Sequence, residues 1–122
     1  MTVCVTAAGK DWSAATQPNF GRAAYFLFID LEAETLDAVK NEPGAHGAGV
    51  QAAQTVAARG ATAVVTGSVG PNAFQGLSAA GIDVFVGATG TVRQAFDAYR
   101  AGKLQRAGAP TGRPHGGGGQ RR

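Results

Sequence analysis

A chain of 122 residues, 44% apolar but only 16% charged, has the size and the core material of one domain. Its single cysteine among 19 glycines excludes an internal disulfide framework and any site built from four cysteines. The net charge of +3 divides unevenly: residues 1–100 hold six basic against eight acidic side chains, net −2, and residues 101–122 hold five basic and no acidic ones, net +5, so the part expected to fold is not a basic nucleic-acid binder.

The chain opens without a basic n-region, which argues against a secretory leader, and no apolar run approaches the ~20 residues of a membrane span. A protein of the reducing cytoplasm is the expectation. Residues 2–6 predict a first strand, ending at Ala7-Ala8-Gly9-Lys10. A polar stretch, 11–19, follows, with Pro18 as breaker. Residues 23–30, with Tyr25, Phe26 and Phe28, have the composition of a central strand. A weaker strand, 35–40, follows through a link too short for a parallel crossover, so these two form a hairpin. From residue 47 the pattern becomes helical. The first helix, 48–59, is read with Val50, Ala53, Val56 and Ala57 on one face, and stops at Gly60. A strand at 62–66, a helix at 70–80 with Phe74 and Leu77 inward, and a strand at 83–86 come next. The last helix, 91–101, has Thr91 as its N-cap, Val92, Phe96 and Tyr99 inward, and Gly102 as its stop. After residue 104 the chain is Gly- and Arg-rich, holds Gly116-Gly117-Gly118-Gly119, and predicts a flexible tail over 105–122.

The order is βββαβαβα: an α/β domain, 1–104, with a five-stranded mixed sheet and three helices. Right-handed crossovers make strands four and five parallel to strand one. Every strand-to-helix loop then lies at one edge of the sheet, where open α/β sheets bind ligands. Four glycine-bearing segments meet there: 7–10, 44–49, 66–72 and 87–91, with Phe20-Gly21-Arg22 beside them. Each alone reads as a tight turn. Together, with three helix N-termini offering unpaired N–H groups and with Lys10 and Arg22 nearby, they suit an anion. Arg22 fits an anion site or a surface ion pair, and Asn72 a ligand or a helix cap. His46 fits a ligand or an exposed loop residue. Cys4, on a central strand, reads as buried and inert. Trp12 packs on the domain or covers the cleft. The aromatics Phe20, Phe26, Phe28, Phe74, Phe96 and Tyr99 read as core.

Enzyme signatures are missing. There is no GxxxxGK[ST], and Gly67-Ser68-Val69-Gly70 is not the dinucleotide fingerprint. The element order is that of the ribonuclease H-like motif, whose nucleases need acids on the first strand. Here that strand is Thr2-Val3-Cys4-Val5-Thr6, without one, which argues against two-metal chemistry. Ser68 has no histidine partner but His46, and no third group to orient it.

The segments Asn19-Phe20-Gly21-Arg22-Ala23, Asn41 through Pro43, Gly47-Ala48-Gly49-Val50, Thr66-Gly67-Ser68-Val69-Gly70-Pro71-Asn72 and Gly102-Lys103-Leu104 together resemble the dinitrogenase iron–molybdenum cofactor biosynthesis family. The resemblance covers 1–104. It implies a ribonuclease H-like domain and a non-enzymatic carrier of an anionic metal–sulfur cluster, of iron–molybdenum or molybdenum–copper type, held non-covalently, without a nucleotide. It implies cluster donor and acceptor proteins as partners, a nitrogen-fixation accessory role, no membrane, and a monomer or weak homodimer. The candidate cluster-binding residues at this edge are Lys10, Asn19, Arg22, His46, Gly47, Gly49, Gly67, Ser68, Gly70, Asn72 and Thr89, with His46 as candidate metal ligand. Cluster carriers often have His before the Phe-Gly pair. Here Asn19 stands there, and an amide is the poorer ligand. Three other readings compete. One is a ligand-free regulatory or scaffold domain using the edge as a protein contact. Another is nucleic-acid contact through the basic tail, which lacks an aromatic to stack a base. The last is a Mg²⁺-dependent hydrolase.

Overall fold

The computed structural model describes residues 1–41 and 48–109. Its elements are β1 (Thr2–Ala7), β2 (Tyr25–Asp30), β3 (Leu36–Lys40), α1 (Ala48–Ala58), β4 (Ala63–Val65), α2 (Pro71–Ala79), β5 (Asp83–Val86), α3 (Val92–Arg100) and β6 (Gln105–Arg106). One mixed sheet runs β3-β2-β1-β4-β5-β6. β1 pairs antiparallel with β2 and parallel with β4, and β4 pairs parallel with β5. The mixed α/β architecture follows the expected arrangement, with the carboxyl ends of β1, β3, β4 and β5 at one edge.

Period-two alternation explains why both faces are covered. Cys4, Phe26, Phe28, Val64 and Val84 share a core with Ala52, Ala53, Val56, Ala73 and Leu77 of α1 and α2. Val3, Val5, Leu27, Ile29 and Val65 alternate with them and pack with Val92, Ala95 and Phe96 of α3. Gly60 and Gly81, both at φ 77°, lie just beyond α1 and α2 as expected. Thr91 caps α3 in a full capping box with Gln94.

Two expectations need correction. The sheet has six strands, not five, because Gln105–Arg106 pair antiparallel with Phe85 and Val86. Both residues are exposed and polar, so no apolar alternation marks them. Arg106 pairs with Asp83 at 2.9 Å, and the Ala107 N–H donates to the Val84 carbonyl at 2.8 Å. In α1 the buried stripe is Ala52, Ala53 and Val56, whereas Val50 is 41% exposed and Ala57 is exposed. The helices α1 and α2 approach closely at Ala53: a Cβ added at Gly76 would lie 3.0 Å from Ala53 Cβ.

Candidate functional site

The edge is built on a buried pair of hydroxyls. Thr6 and Thr66, at the ends of β1 and β4, are both fully buried. The Thr6 hydroxyl donates to the Gln17 carbonyl at 2.8 Å and lies 2.9 Å from Thr66 Oγ1, which reaches the Pro18 carbonyl at 3.4 Å. These contacts hold the segment before β2 down on the sheet. That segment then runs beside the loop after β4. The Ser68 N–H donates to the Pro18 carbonyl at 2.7 Å, and the Phe20 N–H to the Ser68 carbonyl at 3.2 Å. Ser68 Oγ donates to Asn19 Oδ1 at 3.1 Å. Two of the predicted site residues, Asn19 and Ser68, therefore meet. Gly67 has a structural reason to be glycine: a Cβ there would stand 2.7 Å from Pro18 Cα.

Arg22 closes a 3-10 turn, Phe20–Arg22. Phe20 anchors this turn in the core, stacked on Phe26 with ring centroids 5.4 Å apart. The Arg22 side chain is exposed. Lys10 is exposed too, with Nζ 6.0 Å from the centre of the Tyr25 ring. Lys40, exposed at the end of β3, sits opposite Tyr25 in the β2–β3 register. Among the described residues no carboxylate pairs with Lys10, Arg22 or Lys40. Arg59, Arg93, Arg100 and Arg106, by contrast, all have acidic partners. Positive charge left free is what an anion site needs. Sequence reasoning missed Lys40, although its place at the carboxyl end of a strand was a usable signal.

The helix starts are not equivalent. α2 has Gly70 as N-cap, Pro71 in its first turn and no side-chain cap. Asn72 is therefore not a capping residue, and the N–H groups of Asn72 and Ala73 have no partner among the described residues. Among the described residues, a Cβ on Gly70 would meet nothing within 4 Å. α3 corrects the expectation of three open N-termini. The Val92 N–H donates to the Ala14 carbonyl at 2.8 Å, the Arg93 N–H to the Trp12 carbonyl at 3.0 Å, and the Gln94 N–H to Thr91 Oγ1 at 3.2 Å. Residues 11–16 fill the place a ligand would take at that helix. Trp12 itself packs edge-on against Phe96, centroids 5.3 Å apart. Thr89, exposed, lines a groove of about 250 Å³ with Gly87, Gly90 and Gln94. Gly49 is the second residue of α1. His46, Gly47 and His115 lie outside the described residues.

No group of three or more His, Cys, Asp or Glu side chains among the described residues is placed to hold a metal ion. Cys4 is fully buried, and burial pushes its thiol far above the usual range. A soluble aromatic disulfide reagent is expected to leave Cys4 untouched in the native protein and to titrate one thiol after unfolding. Stoichiometric labelling under native conditions would show that β1 opens. No helix among the described residues is long and apolar enough to cross a membrane.

Comparison with known proteins agrees with the fold. Residues 1–102 match the family model for dinitrogenase iron-molybdenum cofactor proteins. The apo form of the orange protein from Desulfovibrio gigas is 40% identical, superposes with a TM-score of 0.86, and aligns over 90% of this chain and 95% of that one. A Thermotoga protein of the DUF35 family, described as a candidate NifB protein, is 36% identical, with a TM-score of 0.77 over 85% of this chain and 90% of that one. An uncharacterized protein of Methanocaldococcus jannaschii is 28% identical over 94 residues, 73% of this chain and 80% of its own length.

Proposed function

The chain belongs to the dinitrogenase iron–molybdenum cofactor family, and from that premise we propose that it binds an anionic metal–sulfur cluster and carries it without catalysing a reaction. The cargo would be an iron–molybdenum cofactor precursor or a related molybdenum, iron or copper sulfide. The observation that carries the reading is the edge itself. Among the described residues, exposed Lys10, Arg22 and Lys40 lack carboxylate partners, and the N–H groups of Asn72 and Ala73 in the first turn of α2, close in sequence to Ser68, have no acceptor. Sulfides of a cluster accept hydrogen bonds, and a polyanion gains from cations and from a helix N-terminus. Asn19 and Ser68 add an amide and a hydroxyl rather than a metal ligand.

The chain's one cysteine is sealed in the core, so no thiolate would hold the cargo, and charge and N–H groups at the edge would. Release then breaks no metal–thiolate bond, which suits a carrier that receives from one protein and delivers to another. The D. gigas relative is named for its colour and is described in an apo form, and a coloured, removable ligand is what a metal–sulfide cluster would be. A reducing compartment, the cytoplasm, is where such a cargo survives.

The test is anaerobic titration of the full chain with tetrathiomolybdate, alone and with Cu(I), followed by the sulfide-to-metal charge-transfer band and by metal analysis after gel filtration. Uptake in a fixed ratio is expected. Arg22→Ala is expected to weaken it by about tenfold or more, the worth of one charge-assisted hydrogen bond. No uptake at any ratio would overturn the carrier reading and leave the edge as a contact surface for a protein partner.

A further inference from the structure

Asn41 follows directly after β3 and is half-buried. Its Nδ2 donates to the Ala23 carbonyl at 2.8 Å and to the Gly21 carbonyl at 3.2 Å. Its backbone N–H donates to the Ala24 carbonyl at 2.9 Å. All three bonds go to the residues flanking Arg22 and to the chain just after them. The turn they grip is weak by itself. It spans three residues, and its internal bonds, Arg22 N–H to the Asn19 carbonyl and Ala23 N–H to the Phe20 carbonyl, are 3.2 and 3.4 Å long. A single 3-10 turn of that kind does not hold its own shape. It is held from outside instead. Ser68 accepts from and donates to its N-terminal side, Gln17 Oε1 accepts the Ala24 N–H at 2.9 Å, and Asn41 closes the carbonyl side.

We infer that Asn41 is a positioning residue for ligand binding: its side-chain amide, bonded to the Gly21 and Ala23 carbonyls, fixes the backbone from which Arg22 reaches the bound anion. This rests on the carrier reading of the edge. The chemistry is particular to asparagine. One nitrogen brings two N–H groups to two carbonyls two residues apart. An aspartate of the same shape would set one carboxylate oxygen against both carbonyls, and an alanine would leave both without that donor.

The test is a double-mutant cycle on tetrathiomolybdate affinity in the full chain, with Arg22→Ala, Asn41→Ala and both together. Coupled residues give non-additive losses. With Arg22→Ala weakening binding about tenfold and Asn41→Ala about fivefold, the double variant is expected within about twofold of Arg22→Ala alone. Ile82→Val, a core trim before β5 and away from this edge, is the control: it is expected to lower the melting temperature and leave affinity unchanged. Asn41→Asp is expected to bind no better than Asn41→Ala. If Asn41→Ala does not fold, Asn41→Ser, which keeps one donor, is expected to give a smaller loss with the same failure to add to Arg22→Ala. Losses that multiply, or wild-type affinity in the Asn41 variants, would overturn the positioning role while leaving the carrier reading intact. A wild-type protein that binds no tetrathiomolybdate would overturn both.

Discussion

Replacing Gly67 by alanine is expected to destabilise the protein by about 1–3 kcal/mol, the usual cost of forcing atoms into a filled space, and to abolish tetrathiomolybdate uptake. The added Cβ would stand 2.7 Å from Pro18 Cα, 2.8 Å from the Pro18 carbonyl oxygen and 3.2 Å from its carbon. All three are backbone atoms, so no side chain can swing away to make room. The two segments must part. Parting them stretches the Ser68 N–H bond to the Pro18 carbonyl and the Phe20 N–H bond to the Ser68 carbonyl, and it separates Asn19 from Ser68. Arg22, two residues past Phe20, moves with that strip of backbone. Gly70→Ala is the comparison. Gly70 has an ordinary φ of −79°, and its Cβ would meet nothing within 4 Å, so stability should stay at the wild-type level or rise slightly. Urea unfolding followed by Trp12 emission, with tetrathiomolybdate titration beside it, checks both. A Gly67→Ala protein that matches wild type in both measurements would show that the strip is not rigid. A Gly70→Ala protein with full stability and weakened uptake would place the ligand in front of α2.

The same strip shows what the sequence carries and what it does not. Asn19 and Ser68 stand 49 residues apart, yet both are legible as edge residues. The alternation in Thr2-Val3-Cys4-Val5-Thr6, the short 31–34 link and the right-handed crossovers set strand directions, and strand directions set which loops share an edge. What alternation cannot carry is contact made by backbone alone. Residues 11–16 occupy the N-terminus of α3 through the carbonyls of Trp12 and Ala14, and carbonyls are present in every residue. β6 is hidden for a related reason. Gln105 and Arg106 are exposed on an edge and join the sheet by main-chain pairing and by the Arg106–Asp83 ion pair. Val50 misleads in the opposite way. It is apolar and helical, but the stripe of α1 that turns inward is Ala52, Ala53 and Val56, and Val50 falls off that stripe at 41% exposure. Gly67 was legible as a site glycine for its freedom. Its structural reason is proximity to Pro18, which depends on a partner far away in sequence.

Among the described residues α3 is the one helix over its face of the sheet, and it buries Phe96 there. Phe96 is fully buried with Val3, Val5, Leu27, Ile29 and Val65. Trp12 packs against it in a T-shaped contact, and the Arg93 and Arg100 guanidinium carbons lie 5.9 and 5.4 Å from its ring centre. Those arginines also grip Glu34 of the β2–β3 turn. Hydrogen bonds from Arg100 and then Arg93 hold the Glu34 carboxyl below the usual carboxylate range. That tie is present at neutral pH and is lost as pH falls through the lowered value. Phe96→Ala removes the ring around which these contacts are arranged. The expected loss is about 3–5 kcal/mol, a large part of the roughly 5–15 kcal/mol that holds a domain of this size. The native emission of Trp12 should shift to the red as its apolar neighbour disappears. Ligand binding should respond differently. The first-turn amides of α3 are occupied by Ala14 and Trp12, so α3 covers the sheet without contributing donors to the edge. At a temperature where the variant is folded, tetrathiomolybdate affinity is expected to stay within about threefold of wild type, less than the loss of one hydrogen bond at the site. Urea denaturation by circular dichroism, paired with the titration, separates the two effects. A stability loss below about 1 kcal/mol would mean that the cavity collapses around other core residues. Loss of affinity in step with stability would mean that the 11–16 loop, released from α3, takes Lys10 away from the edge and that the loop belongs to the ligand site.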